Sequence, residues 1–279
     1  MHRWPATHRG CRACGRGIFA YNADMPESLS AVIITHNAAR QLQACLQSVA
    51  FADEIVVVDS GSTDETVKLA RQHGARVLHQ DWLGYGPQKR VAAAAAANRW
   101  VLSLDADERV TAELREAIQH ELRSPRFAAY AMARCNRFMG RWLKHGEGYP
   151  DWSVRLFNRE QANWSEEAIH EKVVVAGGVG RLRGDLLHES EQGLADYLSK
   201  QNRYTTLQAE HLHARGKRAG LARLALSPLL RFVKFYFLRL GFLDGVPGLV
   251  HIAIGCFNSF LKYAKLRELN LRDRPRTPA

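Results

Sequence analysis

The feature that most constrains this chain is the alternation of short apolar runs with helical stretches from Ser30 onward. The runs at 31–35 and 54–58 are dominated by Val and Ile and show no alternation of polar and apolar positions. Such strands are buried on both faces, which is typical of a parallel sheet covered by helices. The sequence therefore predicts an α/β fold of the Rossmann-like kind. Its predicted strands are 31–35, 54–58, 76–79 and 100–104, and its predicted helices are 38–48, 63–73, 88–98 and 111–123.

The residue pattern of the chain changes after Pro125 and again at Gln192. Strand-like runs at 127–134, 154–158 and 172–175 are first separated by loops rich in Trp, Gly and His, a composition that suits ligand binding. From Gln192 the pattern is helical, over 192–215, 221–240 and 246–269. We interpret this as a disordered leader over 1–28, an α/β domain over 29–190 and a helical extension over 191–279.

Net charge is concentrated in that extension. The 279 residues contain 39 Lys and Arg against 28 Asp and Glu, a net charge of +11. From Arg215 to the end the counts are 13 and 3, so the difference of +10 is nearly the whole excess. A basic region of this size predicts an anionic partner, namely nucleic acid, a membrane surface or a phosphorylated substrate.

The five cysteines do not form the pattern of a disulfide framework. Cys11 and Cys14 form a C-x-x-C pair, but no second pair of ligands follows at the spacing of a zinc site. A reducing compartment is the simpler interpretation, and the leader lacks the apolar core of a secretory signal.

The segment 229–240 has the pattern of a helix at a membrane interface. On an ideal helix Arg231, Lys234 and Arg239 share one side and leave the other to Leu and aromatic residues. Polar residues interrupt the following stretch, 241–261, so it falls short of the roughly 20 apolar residues that span a bilayer. The pattern favours peripheral attachment to the inner face of the cytoplasmic membrane. Packing of this helix on its own domain remains the alternative, because periodicity does not distinguish the two.

Polar residues follow the predicted strands where each one ends. Thr35-His36-Asn37 follows the first, Asp59-Ser60-Gly61-Ser62-Thr63-Asp64 the second and Asp105-Ala106-Asp107-Glu108 the fourth. No glycine-rich phosphate-binding motif is among them, which argues against a dinucleotide or P-loop site. Two carboxylates at i and i+2 can hold a hard divalent cation together with a diphosphate. Asp64 is predicted first as a helix N-cap.

These three motifs, at these spacings, resemble the family 2 glycosyltransferases with a GT-A fold. The later motifs Arg155-Leu156-Phe157, His170-Glu171 and Gly241-Phe-Leu-Asp-Gly245 resemble more narrowly the lipopolysaccharide core biosynthesis glycosyltransferases. The resemblance spans about Ser30 to Leu269, and Thr35-His36 stands where family members often have a proline and an aromatic residue.

The resemblance implies inverting transfer of a sugar from a nucleotide-sugar donor to a saccharide acceptor, the lipopolysaccharide inner core or another lipid-linked glycan. It implies that Asp59 lies near the base or ribose, Asp105 near the ribose or diphosphate, and Asp107 on a Mg²⁺ or Mn²⁺ ion. Thr35 and Asn37 belong to the same nucleotide-sugar site.

Inverting transfer needs a carboxylate that deprotonates the acceptor hydroxyl. Glu171 and Asp151 are the two candidates, and Glu171 is preferred because it sits where the family tends to place its base. Lys89 and Arg155 are the candidate diphosphate partners. His188 is either a contact to the donor or metal, or a structural residue.

Two other functions fit parts of the sequence. A metal-dependent nucleotidyltransferase shares the sheet and the metal carboxylates, but it more often has a basic, Gly-rich loop after the first strand, which residues 35–40 lack. A nucleic-acid-binding module would explain the basic extension, but acids at the strand ends would repel phosphates. We therefore expect a nucleotide sugar, a lipid-linked saccharide and an anionic membrane as partners, and no nucleic acid.

Overall fold

The computed structural model describes residues 26–166, 171–190 and 193–273. The first 25 residues of the predicted leader, with the Cys11-x-x-Cys14 pair, lie outside the described residues, and so does His170.

A mixed sheet of nine strands forms the centre of the described chain. Eight of its strands run in the order β3-β2-β1-β4-β8-β6-β11-β5, and the short β7 pairs with β6. The first four of these are mutually parallel, whereas β8 is antiparallel to both of its neighbours. The strands are β1 (Leu29–Thr35), β2 (Glu54–Asp59), β3 (Arg76–His79), β4 (Trp100–Asp105), β5 (Glu108–Val110), β6 (Ala129–Phe138), β7 (Arg141–Trp142), β8 (Asp151–Asn158) and β11 (Val179–His188); β9 (Ala162–Trp164) and β10 (Val173–Val175) form a separate hairpin.

Helices cover both faces of the parallel part, as the apolar runs predict. Every residue of β1 is buried, and its side chains alternate between two apolar cores. One core contains Ile33 and the buried side of α1; the other contains Val32 and the alanines of α3. The helices of this region are α1 (Ala39–Ser48), α2 (Thr66–Gln72), α3 (Tyr85–Ala95) and α4 (Ala112–Glu121).

The predicted cap at Asp64 is wrong in its position. Helix α2 begins at Thr66, after Glu65, and Asp64 accepts a hydrogen bond from the amide of Thr66 at 3.0 Å. Its other oxygen accepts from the amide of Ala39 at 3.2 Å, so one carboxylate serves the starts of both α1 and α2. The Asp64 carboxylate therefore connects the loop that follows β1 to the loop that follows β2.

Strand β11 was not predicted. It contains two glycines and four charged or polar residues, which lower its intrinsic tendency to form a strand. Its register shifts between Arg181 and Asp185, where Gly184 adopts φ +88°. A Cβ on Gly184 would lie 2.3 Å from the amide nitrogen of Leu114, so a glycine is required there. Pairing with β6 and packing under α4 therefore hold a strand that local sequence does not favour.

The extension consists of α5 (Leu194–Ala214), α6 (Leu221–Phe232) and α7 (Gly245–Arg272), with a π-helical segment at Val233–Leu238 and a 3-10 turn at Gly241–Asp244. The single helix predicted over 221–240 is thus wrong at its end. Leu240 adopts a left-handed conformation, φ 53°, and turns the chain. No single helix in the described ranges is long and apolar enough to cross a membrane, whereas the pair Leu221–Leu238 and Gly241–Arg272, bent by 74°, meets that requirement by length and composition.

Asp244, in the 3-10 turn, holds the extension to the loop before β8. Its carboxylate is 2% exposed and accepts hydrogen bonds from the amides of Lys144 at 3.0 Å and His145 at 2.8 Å. Gly241 lies against Gly146, and a Cβ on Gly241 would lie 2.6 Å from the carbonyl oxygen of Phe235. The Gly241–Gly245 motif is therefore a docking corner.

Candidate functional site

The ends of β1 and β2 form one rigid rim. Asp59, 3% exposed, accepts hydrogen bonds from the amides of Gly61 at 2.9 Å and Ser62 at 2.8 Å, and from the Ser62 hydroxyl. Asn37, at φ 49°, accepts from the amide of Thr63 at 2.8 Å. These two predicted nucleotide-sugar residues thus shape the loops around the site through hydrogen bonds within the chain.

Thr35 differs from its neighbours in this rim. Its residue is 6% exposed, and its hydroxyl has no hydrogen-bond partner among the described residues. Because an unpaired buried hydroxyl costs roughly 1–3 kcal/mol, this atom is a candidate contact for a ligand.

The end of β4 carries a compact group of opposite charges. The Lys89 ammonium, buried to 3% side-chain exposure, lies 3.0 Å from Asp105 Oδ1 and 3.4 Å from Glu171 Oε1. Lys89 also lies over the ring of Trp164, 4.6 Å from its centroid. The structure therefore brings Asp105, Lys89 and Glu171 together, with Lys89 buried in α3.

Arg155 completes this group from β8. Its guanidinium donates two hydrogen bonds of 2.9 Å to Glu108, which is fully buried, and one of 3.3 Å to Asp105. Burial alone would raise the pKa of Asp105, but the positive charges of Lys89 and Arg155 outweigh it and lower that pKa to about 2. Burial would lower the pKa of Arg155, yet Glu108 and Asp105 raise it above its ordinary value. Asp105 and Arg155 therefore stay charged at neutral pH.

Asp107 faces away from this group toward β11. Its Oδ2 lies 3.2 Å from His188 Nε2, and the other ring nitrogen of His188 lies 2.8 Å from Asn136 Oδ1. The described residues contain no group of three or more metal-ligating side chains. Asp107 and His188 nevertheless supply one carboxylate and one imidazole side by side, a pair that suits Mn²⁺ and, less closely, Mg²⁺. The remaining ligands would have to come from a diphosphate and water.

Asp151, the second candidate base, lies apart from Glu171. It is paired with Arg134, whose guanidinium donates to Asp151 Oδ2 at 2.9 and 2.7 Å and lies 3.7 Å from Glu108. Asp151 therefore connects to the charged group only through Arg134. The predicted site residues therefore form the rim at the ends of β1 and β2 and the charged group around Lys89. Asp107 and Asp151 lie outside both.

Three residues of this site have no role in the prediction from sequence. Glu108 follows Asp105-Ala106-Asp107, and burial against Arg155 makes it the main partner of a buried cation. Arg134 ends a predicted strand whose pairing could not be inferred. Trp164 lies outside the predicted strands, between Asn163 and Ser165, so no local pattern identifies it.

Comparison with known proteins identifies the family of this chain. The family model described as "Glycosyl transferase family 2" matches residues 30–181. An uncharacterised glycosyltransferase of Rickettsia typhi is 33% identical over 261 residues, 89% of each chain. The lipopolysaccharide core biosynthesis glycosyltransferase LpsC of Rhizobium meliloti is 31% identical over 256 residues, 88% of this chain and 95% of LpsC.

Among solved structures, residues 1–349 of TarS from S. aureus, in complex with UDP-GlcNAc, cover 90% of this chain and 93% of their own at a TM-score of 0.47 and 14% identity. Glucosyl-3-phosphoglycerate synthase of Mycobacterium tuberculosis, in complex with Mn²⁺ and UDP, covers 40% and 44% at a TM-score of 0.34 and 22% identity. These likenesses are distant, whereas the family match spans more than half of the chain. The α/β sheet with its carboxylate-ended strands has the GT-A fold, and the chain belongs to glycosyl transferase family 2.

Proposed function

We propose that this glycosyltransferase moves a sugar from a nucleotide-diphosphate donor to a hydroxyl of a saccharide acceptor, with inversion at the anomeric carbon. The observation that carries the proposal is the charged group at the end of β4, where Asp105, Lys89 and Glu171 meet. Ligands of open α/β sheets bind beyond the carboxyl ends of the strands, and this group lies there.

The residues have distinct roles in the transfer. The acceptor oxygen forms a bond to the anomeric carbon while the bond from that carbon to the diphosphate oxygen breaks. Glu171 takes the proton of the acceptor hydroxyl, and the nucleoside diphosphate leaves with the electron pair. Lys89 and Arg155 stabilise the charge that develops on the leaving group.

Asp107 and His188 would hold a Mg²⁺ or Mn²⁺ ion at the diphosphate. Such an ion, when bound, neutralises charge on phosphoryl oxygens. Two polar atoms are available to form hydrogen bonds with the nucleotide sugar. They are the unpaired Thr35 hydroxyl and the buried Asp105 Oδ1, which has no well-directed hydrogen bond among the described residues. Asp59 and Asn37 hold the loops against which the nucleotide rests.

The first test is a screen of purified protein with nucleotide sugars and Mn²⁺, measuring release of the nucleoside diphosphate. We expect release with one nucleotide class, and Glu171→Gln is expected to lower the rate of transfer to a saccharide by about 10²-fold while donor binding remains. Asp151→Asn is the matched comparison, because its carboxylate is already bound by Arg134. If Asp151→Asn lowers the transfer rate strongly and Glu171→Gln does not, Asp151 is the base in place of Glu171. If no nucleotide sugar releases its nucleoside diphosphate, the proposal is refuted.

We also propose that the acceptor is lipid-linked and that the extension lies on an anionic membrane surface. The name of the relative LpsC supports a lipopolysaccharide acceptor. A second support is the corner between α6 and α7, which we call the apolar corner. It exposes large side chains that would be costly to leave in water: Phe237 at 54%, Leu238 at 75%, Leu243 at 47% and Val246 at 66%.

The predicted basic face needs correction. Arg231 forms an ion pair with Glu147, and Arg239 donates a hydrogen bond to the carbonyl oxygen of Tyr149 at 3.0 Å. Two of the three basic side chains are thus engaged by the loop before β8. Lys234, exposed beside the apolar corner, is the one of the three left to meet lipid phosphates.

The membrane proposal predicts binding of the full chain to vesicles containing anionic lipid. Replacing Phe237, Leu238 and Leu243 by Ser is expected to weaken this binding by about 10- to 100-fold, because inserted apolar side chains contribute on the order of 1 kcal/mol each. Lys234→Gln should weaken it about fivefold and reduce its salt dependence. Val174→Ser with Val179→Ser, exposed valines of the α/β region, is the control. Equal binding of all variants, or none by the wild type, would refute the proposal.

A further inference from the structure

A polar cavity of about 360 Å³ lies between the α/β region and the helices of the extension. Its volume is within the range of small-molecule sites. The contact between α5 and α7 is apolar toward the ends of these helices, where Ala209, Leu212 and Leu266 pack together, but it is polar along the cavity. Hydrogen-bonding side chains dominate its lining.

One wall of the cavity is a stripe on α5. Tyr197, Gln201, Tyr204, Thr205 and Gln208 line it, at positions i, i+4, i+7, i+8 and i+11. This spacing places all five on one face of the helix. Thr205 is buried and Tyr197, Gln201 and Tyr204 are half-buried, whereas Gln208 at the end of the stripe is exposed.

The facing wall is a stripe on α7 with the same spacing. It consists of His251, Gly255, Asn258, Ser259 and Lys262. A Cβ on Gly255 would lie 2.3 Å from a carboxylate oxygen of Glu147, so the glycine lets the loop before β8 close the end of the cavity. The two stripes face each other across the cavity, and most of their side chains can form hydrogen bonds with hydroxyl groups.

Hydrogen bonds between the walls hold these side chains in place. Asn258 Nδ2 donates to Gln201 Oε1 at 2.9 Å, and the Tyr197 hydroxyl lies 3.2 Å from His251 Nε2. Burial lowers the pKa of His251 to about 4, so its ring is neutral at physiological pH. Amides, phenols and a neutral imidazole are groups that both donate and accept, as a sugar hydroxyl requires.

The charges around the cavity leave one ammonium without a counter-ion. Arg231 pairs with Glu147, and Asp151 pairs with Arg134. Lys262 has no ion pair among the described residues and contacts the ring of Tyr263, 4.8 Å from its centroid. An anionic substituent on a bound sugar would supply the counter-ion that Lys262 lacks.

The cavity adjoins the proposed donor site. Asn136 lines it and contacts His188, which in turn contacts Asp107. Asp151 lines it from β8. We propose that this cavity binds the acceptor as a saccharide that carries a carboxylate, with Asn258 and Gln201 contacting its hydroxyls and Lys262 its carboxylate. This inference rests on the proposed function only in naming the saccharide the acceptor.

The test is saturation-transfer NMR on the full chain with disaccharides of gluco, galacto and manno configuration, each in neutral and uronate form. We expect transfer to the ring protons of at least one pair, with the uronate bound more tightly. Asn258→Leu should weaken that binding about tenfold. Lys262→Gln should bring the uronate to the affinity of its neutral counterpart.

Controls separate the cavity from the donor site and from loss of folding. Gln119→Leu on the exposed side of α4 and Lys217→Gln repeat the two chemical changes away from the cavity. Release of nucleoside diphosphate from the donor by water needs no acceptor, so it reports on the proposed function alone and should persist in both cavity variants. Binding that is unchanged in Asn258→Leu, or no binding of any member of the panel to the wild type, would overturn the inference.

Discussion

Asp107→Ala is expected to abolish metal-dependent transfer while leaving the fold intact. Asp107 lies at the surface of the site, 28% exposed, and its side chain contacts the ring of His188 at 3.2 Å. Its carboxylate would be one of only two protein ligands of the cation, so its removal leaves His188 alone. A bound cation stabilises developing charge by several kcal/mol, and about 4 kcal/mol corresponds to roughly 10³ in rate.

The measurement is transfer as a function of Mn²⁺ concentration, with thermal melting as the check on folding. Asp81→Ala is the control, since Asp81 follows β3 at the same edge of the sheet and is 91% exposed. We expect its transfer to equal that of the wild type. Wild-type turnover by Asp107→Ala at saturating Mn²⁺ would remove Asp107 from the metal site.

Glu108→Ala is expected to destabilise the protein by about 3–5 kcal/mol, because it leaves a buried cation without its main partner. Glu108 is fully buried and accepts two hydrogen bonds from Arg155, which is 6% exposed. It also accepts from the amide of Asp105 at 3.2 Å, a donor that would lose its partner. The free energy of unfolding in urea measures this loss.

Two further variants make the stability prediction specific. Glu108→Gln keeps an acceptor for Arg155 but removes the charge, so it should cost less than the alanine. Glu65→Ala breaks the ion pair with Lys68, in which both side chains are largely exposed, and it should change stability by less than about 1 kcal/mol. If Glu108→Ala unfolds at the same urea concentration as Glu65→Ala, the pair with Arg155 does not support the fold.

The sequence alone was sufficient for the parallel half of the sheet. Runs of Val and Ile without polar interruptions are stable only when buried on both faces, and β1, β2 and β4 were predicted within two residues of their bounds. Because parallel strands end at one edge of a sheet, the sequence alone predicts that Thr35, Asp59 and Asp105 lie at the same edge.

Local signals were weaker where tertiary contacts dominate. Strand β11 forms through pairing with β6 although its glycines disfavour it, and the helix predicted over 221–240 ends where Leu240 turns toward the docking corner at Asp244. Periodicity grouped Arg231 with Lys234 and Arg239 but could not identify Glu147 as the partner of Arg231.

The sequence by itself thus determined the parallel strands β1 to β4 and the polar residues that follow them, because an apolar run that requires burial on both faces is a local pattern. Only the tertiary structure decided which charges meet. Lys89 and Glu171 are 82 residues apart and Arg155 and Glu108 are 47 apart, and these contacts depend on how the loops cross the sheet edge. The polar stripes of α5 and α7 likewise form a cavity only because the two helices face each other. A polar helix face is as compatible with water as with a polar neighbour, so the pattern alone does not reveal the cavity.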